Sequence, residues 1–236
     1  MPSLASKLRL TIILITSGLI VCPHLAAGAI MLGQIDDFQD GTTQNWNGAA
    51  PSPLNISAGG PAGSGDRFLE VESGSFGGGP RLLTFNDTQW TGDFVTAGVD
   101  DVAMDLKNLG SASLSIRIAL QQSSASSGSP GYVSTTAFSL AADGNWHHAT
   151  FLIDAADLTG LNGAGPLSTF LTSISDFRLL SANSPALVGD PISGQFGVDN
   201  IQALGVPEPS GILAALLGIV CLIGFARRAR ARASVT

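Results

Sequence analysis

The sequence predicts an all-β domain, built as an antiparallel sandwich of two sheets, and three observations lead to this fold class. Apolar and polar residues alternate with a period of two in many short segments. Clusters of Gly, Pro, Asn, Asp and Ser separate these segments, and no helical pattern alternates with them as in a βαβ unit. Many short strands of this kind are typical of a jelly roll. The segments are 34–38, 67–72, 81–85, 102–106, 114–121, 133–140, 148–153, 176–180 and 196–203.

The alternation also predicts which side chains are buried, because successive residues of a strand point to opposite faces of the sheet. In segment 67–72, Leu69 and Val71 should be buried while Glu70 and Glu72 point outward. In segment 114–121, every second residue from Leu114 is Leu or Ile, which predicts one face inward and one face toward water. The residues expected on the water side are Ser113, Ser115, Arg117 and Ala119.

Within the central domain, helix is predicted at 166–174, as a turn or two. The glycine-rich and serine-rich stretches 58–66, 74–80 and 123–131 are predicted to be loops, because ordering these residues costs much conformational entropy.

Composition limits the chemistry of the central domain, residues 30–205. The chain has 236 residues and two cysteines, Cys22 and Cys221, both in apolar end segments. A disulfide framework and thiol chemistry are therefore not available to the domain. The domain has five basic and 17 acidic residues, a formal charge of −12. Such a surface argues against nucleic-acid partners, whose phosphates are bound by Lys and Arg.

The N-terminal residues 1–29 have the pattern of a secretory signal peptide with a helical apolar segment. Lys7 and Arg9 precede the apolar stretch 10–21, and Ala27 and Ala29 form the small-x-small pattern of a cleavage site after Ala29. A lipoprotein signal at Cys22 is the alternative. The residue before that cysteine is a Val, which fits a lipoprotein signal poorly.

The C-terminal residues 206–232 combine three features in a fixed order. Pro207, Glu208 and Pro209 precede an uncharged apolar run at 211–226, and an arginine cluster follows it. A helix over that run is about 24 Å long, short of the roughly 30 Å hydrocarbon core of a bilayer. Clustered arginines favour the cytoplasmic side, which leaves the domain outside. The cluster consists of Arg227, Arg228, Arg230 and Arg232.

This C-terminal pattern resembles the PEP-CTERM sorting signal of exported bacterial proteins. The resemblance implies that an exosortase-type membrane protease recognises Pro207, Glu208 and Pro209 and releases or transfers the domain. The expected location is then a transient membrane anchor at 211–226 followed by the cell envelope or the extracellular matrix. A plain single-pass transmembrane helix is the alternative.

The central domain resembles carbohydrate-binding-module-like jelly rolls of the galactose-binding type. The segments that carry the resemblance are 36–41 with Trp46, 144–151, 176–179 and 198–201. It implies a structural calcium shared by Asp37 of the opening strand and Asp199 of the closing strand, since calcium takes six to eight oxygen ligands. Gln39 replaces the commoner glutamate of that pattern. The alternative is that both aspartates cap turns or face solvent.

Aromatic side chains are the usual platforms for sugar rings, which stack their C–H groups on them. Trp90 and Tyr132 lie beside loop-like stretches and are the stacking candidates. Trp46 and Trp146 begin strands and are expected in the core or at a sheet edge.

Catalysis is not indicated. His147 and His148 are adjacent on a strand, so they point to opposite faces and cannot hold one metal ion together. Three functions remain open. The first is a non-catalytic exported protein associated with the envelope or an exopolysaccharide matrix, the second is a glycan-binding module, and the third is a glycoside hydrolase. A hydrolase would need two opposed carboxylates, and Glu70 and Glu72 are spaced only roughly for that role.

Overall fold

The computed structural model describes residues 29–48, 51–75, 79–123 and 128–205. Most of the predicted signal peptide, the Pro207–Pro209 motif, the apolar run 211–226 and the arginine cluster lie outside the described residues. Ala27 also lies outside them, while Ala29 is the first residue described. Within the described ranges, no helix has the length and apolar character needed to cross a membrane.

Strands are the main regular structure of the domain, and helix is scarce. The two short α-helices are α1 (Phe94–Ala97) and α2 (Leu167–Phe170), and a 3-10 turn at Leu171–Ser173 continues α2. The strands are β1 (Ile35–Asp36), β2 (Asn47–Gly48), β3 (Leu54–Ile56), β4 (Phe68–Glu72), β5 (Gly74–Ser75), β6 (Pro80–Arg81), β7 (Leu83–Asn86), β8 (Asp101–Asn108), β9 (Leu114–Gln121), β10 (Gly131–Ser134), β11 (Phe138–Leu140), β12 (Trp146–Leu152), β13 (Leu158–Leu161), β14 (Asp176–Ser181) and β15 (Gln195–Leu204).

Two antiparallel sheets contain nearly all of these strands. The first sheet has the order β12-β8-β15-β4-β3, with β1 paired to β15. The second sheet has the order β13-β10-β9-β14-β7-β2, with β11 paired to β9. Strands β5 and β6 form a separate hairpin within a stretch predicted to be a loop. The predicted antiparallel two-sheet sandwich is therefore confirmed for the described domain.

The main core lies between the two sheets. It joins alternate residues of β8, such as Met104 and Leu106, to alternate residues of β9, such as Ile118 and Leu120. In β4, Leu69 and Val71 are buried while Glu70 and Glu72 are at least partly exposed, as the alternation predicts. The predicted helical turns at 166–174 are also confirmed, by α2 and the 3-10 turn.

The prediction that the second face of β9 meets water holds for Ser113 and, in part, for Ser115, but it is wrong for Arg117 and Ala119. Arg117 and Ala119 are 4% and 0% exposed, respectively. The segment 182–190, which we call the covering segment, lies against the outer face of the second sheet. Its Leu187 packs in a second apolar cluster with Leu83, Ala119, Val133, Leu180 and Ala182. The outer face of this sheet is therefore a second, smaller core.

Polar contacts fasten the covering segment to the sheet. The Arg117 guanidinium donates to the carbonyl of Ala182 through Nε at 2.9 Å. Arg178, which is 1% exposed, donates to the Leu187 carbonyl at 2.9 Å and forms an ion pair with Asp176 at 2.6 Å. Gly131 makes the close approach possible, because a Cβ at this position would lie 2.6 Å from a Leu187 methyl carbon.

Candidate functional site

Neither of the two rings proposed for sugar stacking is available, so these predictions are wrong. Trp90 is 0% exposed, and Tyr132 is 9% exposed. Tyr132 pairs with Leu120, an inward residue of β9, and its hydroxyl donates to the Gly165 carbonyl at 2.6 Å. Its ring packs edge-on against Phe170. Both rings fill the core, where no sugar can cover them.

Asp36 explains why Trp90 is held inside the domain. Its Oδ2 accepts hydrogen bonds from the indole nitrogens of Trp46 and Trp90, both at 2.7 Å, and from the Gln89 amide at 3.1 Å. Burial raises the pKa of the Asp36 carboxyl, and these donors partly offset the increase. Trp46 is buried as expected, and this arrangement is a structural junction rather than a binding site.

Among the tryptophan and tyrosine rings of the described residues, the one that remains accessible is Trp146, at the start of the edge strand β12. It is partly exposed and lies opposite Lys107 of β8. Trp146, His148 and Thr150 share the outer face of the first sheet, whereas Ala149 and Phe151 are buried. The parity of the two inward residues was a usable signal in the sequence, since it places Trp146 on the outer side.

Three contacts fix the orientation of the Trp146 indole. Its Nε1 donates to the Gly59 carbonyl at 3.0 Å. Its ring meets Phe68 edge-on, with centroids 5.3 Å apart and an interplanar angle of 79°. It also lies against Gly197 of β15, where an added Cβ would be 3.1 Å from Cη2 of the indole. The missing side chain of Gly197 therefore lets the ring rest close to the sheet.

Polar groups surround this ring. The Lys107 ammonium lies 5.8 Å from the indole centroid. His148 bonds through Nδ1 to Asp105 at 2.9 Å, and the other oxygen of Asp105 accepts from the Asn200 amide at 2.9 Å. We call Trp146, Lys107, His148, Asp105 and the adjacent Glu70 the Trp146 face. An ordered aromatic ring beside hydrogen-bonding groups can bind a molecule that has one apolar face and a rim of hydroxyls.

The two histidines contact different carboxylates, as expected from their opposite directions. His147 pairs with Asp143 at 3.0 Å, whereas His148 pairs with Asp105. Hydrogen bonding from the Asn145 backbone, followed by His147, lowers the pKa of Asp143 to about 2.

Asp199, one of the two predicted calcium ligands, lies buried where β15 bulges at Asn200, whose φ is 52°. Its Oδ1 accepts from the Asn200 backbone at 2.8 Å, and its Oδ2 is buried without a hydrogen-bond partner. Burial raises the pKa of Asp199 to about 7, and the charges of Asp66, Asp105 and Asp37 add to the increase. A buried carboxylate oxygen that has no hydrogen-bond donor can be stabilised by a bound cation.

Gln39 occupies an environment rich in oxygen atoms near these aspartates. Its amide nitrogen donates to Asp66 Oδ1 at 2.8 Å, to the Asp37 carbonyl at 2.9 Å and to the Arg67 carbonyl at 3.3 Å. Asp37 is half-buried and accepts from the Gln39 backbone at 3.2 Å. Among the described side chains, no three His, Cys, Asp or Glu residues are grouped so that they could hold a metal ion. A calcium site here would therefore depend on backbone and amide oxygens.

A polar cleft of about 650 Å³ lies beside the opening strand. Gln44 and Asn45, on its wall, both have positive φ angles, 47° and 61°. Such backbone conformations are uncommon outside glycine. The cleft offers hydroxyls and amides but no exposed aromatic ring. Its lining residues are Asp36, Asp40, Thr42, Thr43, Gln44, Asn45, Asn47, Thr88 and Gln89.

The order of the strands in the two sheets, and the core packed between the sheets, define an antiparallel β-sandwich protein. No protein-family profile matches the chain, and no curated protein sequence matches it significantly. Solved structures give weak likenesses. One is a family 11 carbohydrate-binding module from Clostridium thermocellum in complex with a β-1,3-1,4-mixed-linked tetrasaccharide, with 20% identity, coverage of 74% of this chain and 96% of that chain, and a TM-score of 0.47.

Two further structures are similar to the same degree. The CBM22-1 xylan-binding domain of Paenibacillus barcinonensis Xyn10C has 13% identity, covers 75% of this chain and 99% of its own, and has a TM-score of 0.44. An exo-β-agarase has 12% identity, with coverage of 74% of this chain and 26% of its own, and a TM-score of 0.48. At TM-scores below 0.5, the fold assignment rests on the strand pairing of this chain itself.

Proposed function

We propose that this chain is a non-catalytic exported protein whose β-sandwich binds a neutral polysaccharide through the Trp146 face. The observation that carries the proposal is the fixed but partly exposed indole of Trp146 on the outer face of the first sheet. The resemblance of the central domain to carbohydrate-binding modules, seen in its sequence motifs, supports the same conclusion.

The arrangement suits a sugar because the ring is oriented before any ligand arrives. Fixing the indole in advance reduces the entropy lost on binding. A pyranose stacked on it would have hydroxyls within reach of His148, Asp105 and Glu70, which lie on neighbouring strands of the same face.

The charge of the domain favours a neutral polymer. Its formal charge is −12, and Lys107 is the single basic residue on the Trp146 face apart from His148. Polymers of uronates or sulfated sugars would be repelled by such a surface.

Hydrolysis is not supported by the carboxylates of this face. Asp105 and Asp199 are cross-strand partners, and the pKa of Asp199 is raised to about 7, as a general acid would require. Asp199 is 0% exposed, however, so it cannot reach a glycosidic oxygen. Asp105 is already bonded to His148 and Asn200. This pair therefore acts in structure rather than in bond cleavage.

Binding of purified chain to a panel of neutral glucans, xylans and galactans, with uronate polymers beside them, tests the proposal. Removing the ring in Trp146→Ala should weaken binding by about tenfold or more, because burial of a large side chain contributes roughly 1.5–3 kcal/mol. His147→Ala is the control, since His147 pairs with Asp143 rather than with the Trp146 face. Unchanged binding in Trp146→Ala, with loss in Asn45→Ala, would place the site in the polar cleft instead.

The proposed route to the envelope or the extracellular matrix depends on the two ends of the chain. An N-terminal signal peptide would direct export, and an exosortase-type protease would process the Pro207–Pro209 motif while 211–226 anchors the chain. Mass spectrometry of both termini, in cells with and without the candidate protease, tests this route. Release of a fragment ending near residue 206 is expected. An intact C terminus retained in the membrane would indicate a plain anchor.

We also propose that a calcium ion binds beside Asp199. Asp37 and Asp199 would be its carboxylate ligands, with backbone carbonyls completing the set. The buried, unpartnered Oδ2 of Asp199 supports this proposal. Turning the amide of Gln39 would present its oxygen instead of its nitrogen to the ion. A melting temperature unchanged by calcium and by chelator would count against the site.

A further inference from the structure

Exposed apolar side chains are concentrated at one end of the domain. In the described residues, six large apolar side chains are exposed, and five of them are Met31, Leu32, Ile35, Val95 and Leu152. We call these five the terminal patch. Single exposed apolar residues are ordinary, but a group on one surface indicates an interaction site.

Strand register places the members on the first sheet close together. Leu152 of β12 pairs with Asp101 of β8, and Asp101 pairs with Leu204 of β15. Ile35 of β1 pairs with Gln202, two residues before Leu204. These side chains therefore lie at the same end of the first sheet, where β15 finishes.

The remaining members, Met31, Leu32 and Val95, lie near Gly205, which directly follows β15. An added Cβ on Gly205 would lie 3.0 Å from a methyl carbon of Leu32 and 2.5 Å from the Gly98 carbonyl oxygen. Gly98 caps α1, the short helix that carries Val95. Met31 and Gln34 close a turn beside Leu32, and Gly33 bonds to the Ala203 carbonyl at 2.8 Å.

Both ends of the described domain leave the sandwich at this patch. Ile30 bonds to Thr91 at 2.7 Å, just before α1, while Gly205 ends the described chain beside Leu32. Only five residues separate Gly205 from the apolar run that begins at residue 211. Five residues span at most about 18 Å.

We propose that the terminal patch rests on the lipid bilayer while the chain is anchored, so that the domain sits directly on the membrane that holds its tail. The inference rests on the proposed anchoring by 211–226 and does not depend on glycan binding. The apolar side chains would enter the boundary between headgroups and acyl chains. Asp100, Asp101 and Asp154 lie near Leu152, so a zwitterionic surface suits this end better than an anionic one.

Depth-dependent quenching by brominated lipid tests the proposal on the full chain in phosphatidylcholine vesicles. Single cysteines carrying a fluorescent label are placed at Leu32→Cys or Leu54→Cys, with Cys22 and Cys221 replaced by Ala. Leu54 is the matched control, because the two leucines are 57% and 56% exposed. Leu54 pairs with Glu70, and Glu70 pairs with Gly197 of β15. Gly197 is seven residues before Leu204, so Leu54 lies roughly 20 Å from the patch along the direction of β15.

Quenching at position 32 is expected to exceed quenching at position 54 by twofold or more, and Val95→Asp should reduce it. In a separate variant that keeps Cys221 as its single cysteine, a label at this position reports insertion of the tail. Quenching at position 221 with equal, weak quenching at 32 and 54 would overturn the inference while leaving the anchor intact. Shielding at position 32 without lipid quenching, together with a doubled particle mass, would show that a second copy covers the patch and would also overturn it.

Discussion

The outer faces of the two sheets differ, although the sequences of their strands alternate in the same way. On the second sheet, the covering segment buries Arg117, Arg178 and the small core around Leu187. On the first sheet, the equivalent face leaves Trp146, Lys107 and His148 at least partly exposed. Alternation therefore identifies the two faces of a strand, but it does not tell which of them meets water. One face of this sandwich is covered and contributes to the core, and the other leaves an indole ring accessible.

The largest expected effect tests whether the charges of the covered face are structural. Arg178→Met leaves Asp176 buried without its guanidinium partner, which should lower the free energy of unfolding by about 3–5 kcal/mol. Lys107→Met on the open face is the matched change, and it should alter stability by less than about 0.5 kcal/mol. Urea denaturation measures both. Equal effects would remove the distinction between the two faces.

The next effect concerns the apolar contact that holds the covering segment. Leu187→Ala should cost about 2–4 kcal/mol, because it leaves a cavity against Val133 and Leu180. Leu54→Ala on the exposed edge of the first sheet should cost almost nothing. Thermal unfolding of the two variants measures the difference. A small loss for Leu187→Ala would mean that the covering segment contributes little to stability.

A third prediction concerns pH and the buried carboxyl of Asp199. Its pKa is raised from 3.8 to about 7, so ionisation is harder in the folded state than in the unfolded one. The contribution of Asp199 to stability should therefore be fully present below about pH 4 and fall as pH rises to about 7, by at most about 4 kcal/mol. Burial also raises the pKa values of Asp36 and Asp176, which act in the same direction.

Asp199→Asn isolates this contribution, since it should flatten the fall in stability between pH 4 and pH 7. Added calcium should raise the melting temperature more at pH 8 than at pH 5, because only the ionised carboxyl binds the ion well. Gln39→Glu should increase that calcium effect by adding a carboxylate ligand. An unchanged pH profile in Asp199→Asn would assign the pH dependence to other groups.

Strand periodicity was enough to predict the fold class, the main core and the parity of β4. Periodicity did not predict that Trp90 and Tyr132 are buried. A position beside a loop in the sequence does not show which distant residue will hydrogen-bond to the ring and keep it in the core. Trp90 is held by Asp36, 54 residues away, and Tyr132 by Gly165, 33 residues away. Likewise, the burial of Arg117 depends on the covering segment, which has no periodic signal of its own. Trp146 could have been found from the parity of Ala149 and Phe151.

The smallest effect is the contact between Lys107 and Trp146 on the open face. The ammonium lies 5.8 Å from the indole centroid, which is within the range of a cation–π interaction. A double-mutant cycle of Lys107→Met and Trp146→Leu should give a coupling of about 0.5 kcal/mol, since the pair is partly exposed to water. Bound neutral polysaccharide should change that coupling, because a stacked sugar removes water from the ring. If the coupling is the same with and without polysaccharide, the ligand does not bind at Trp146, and the open face is not the binding site.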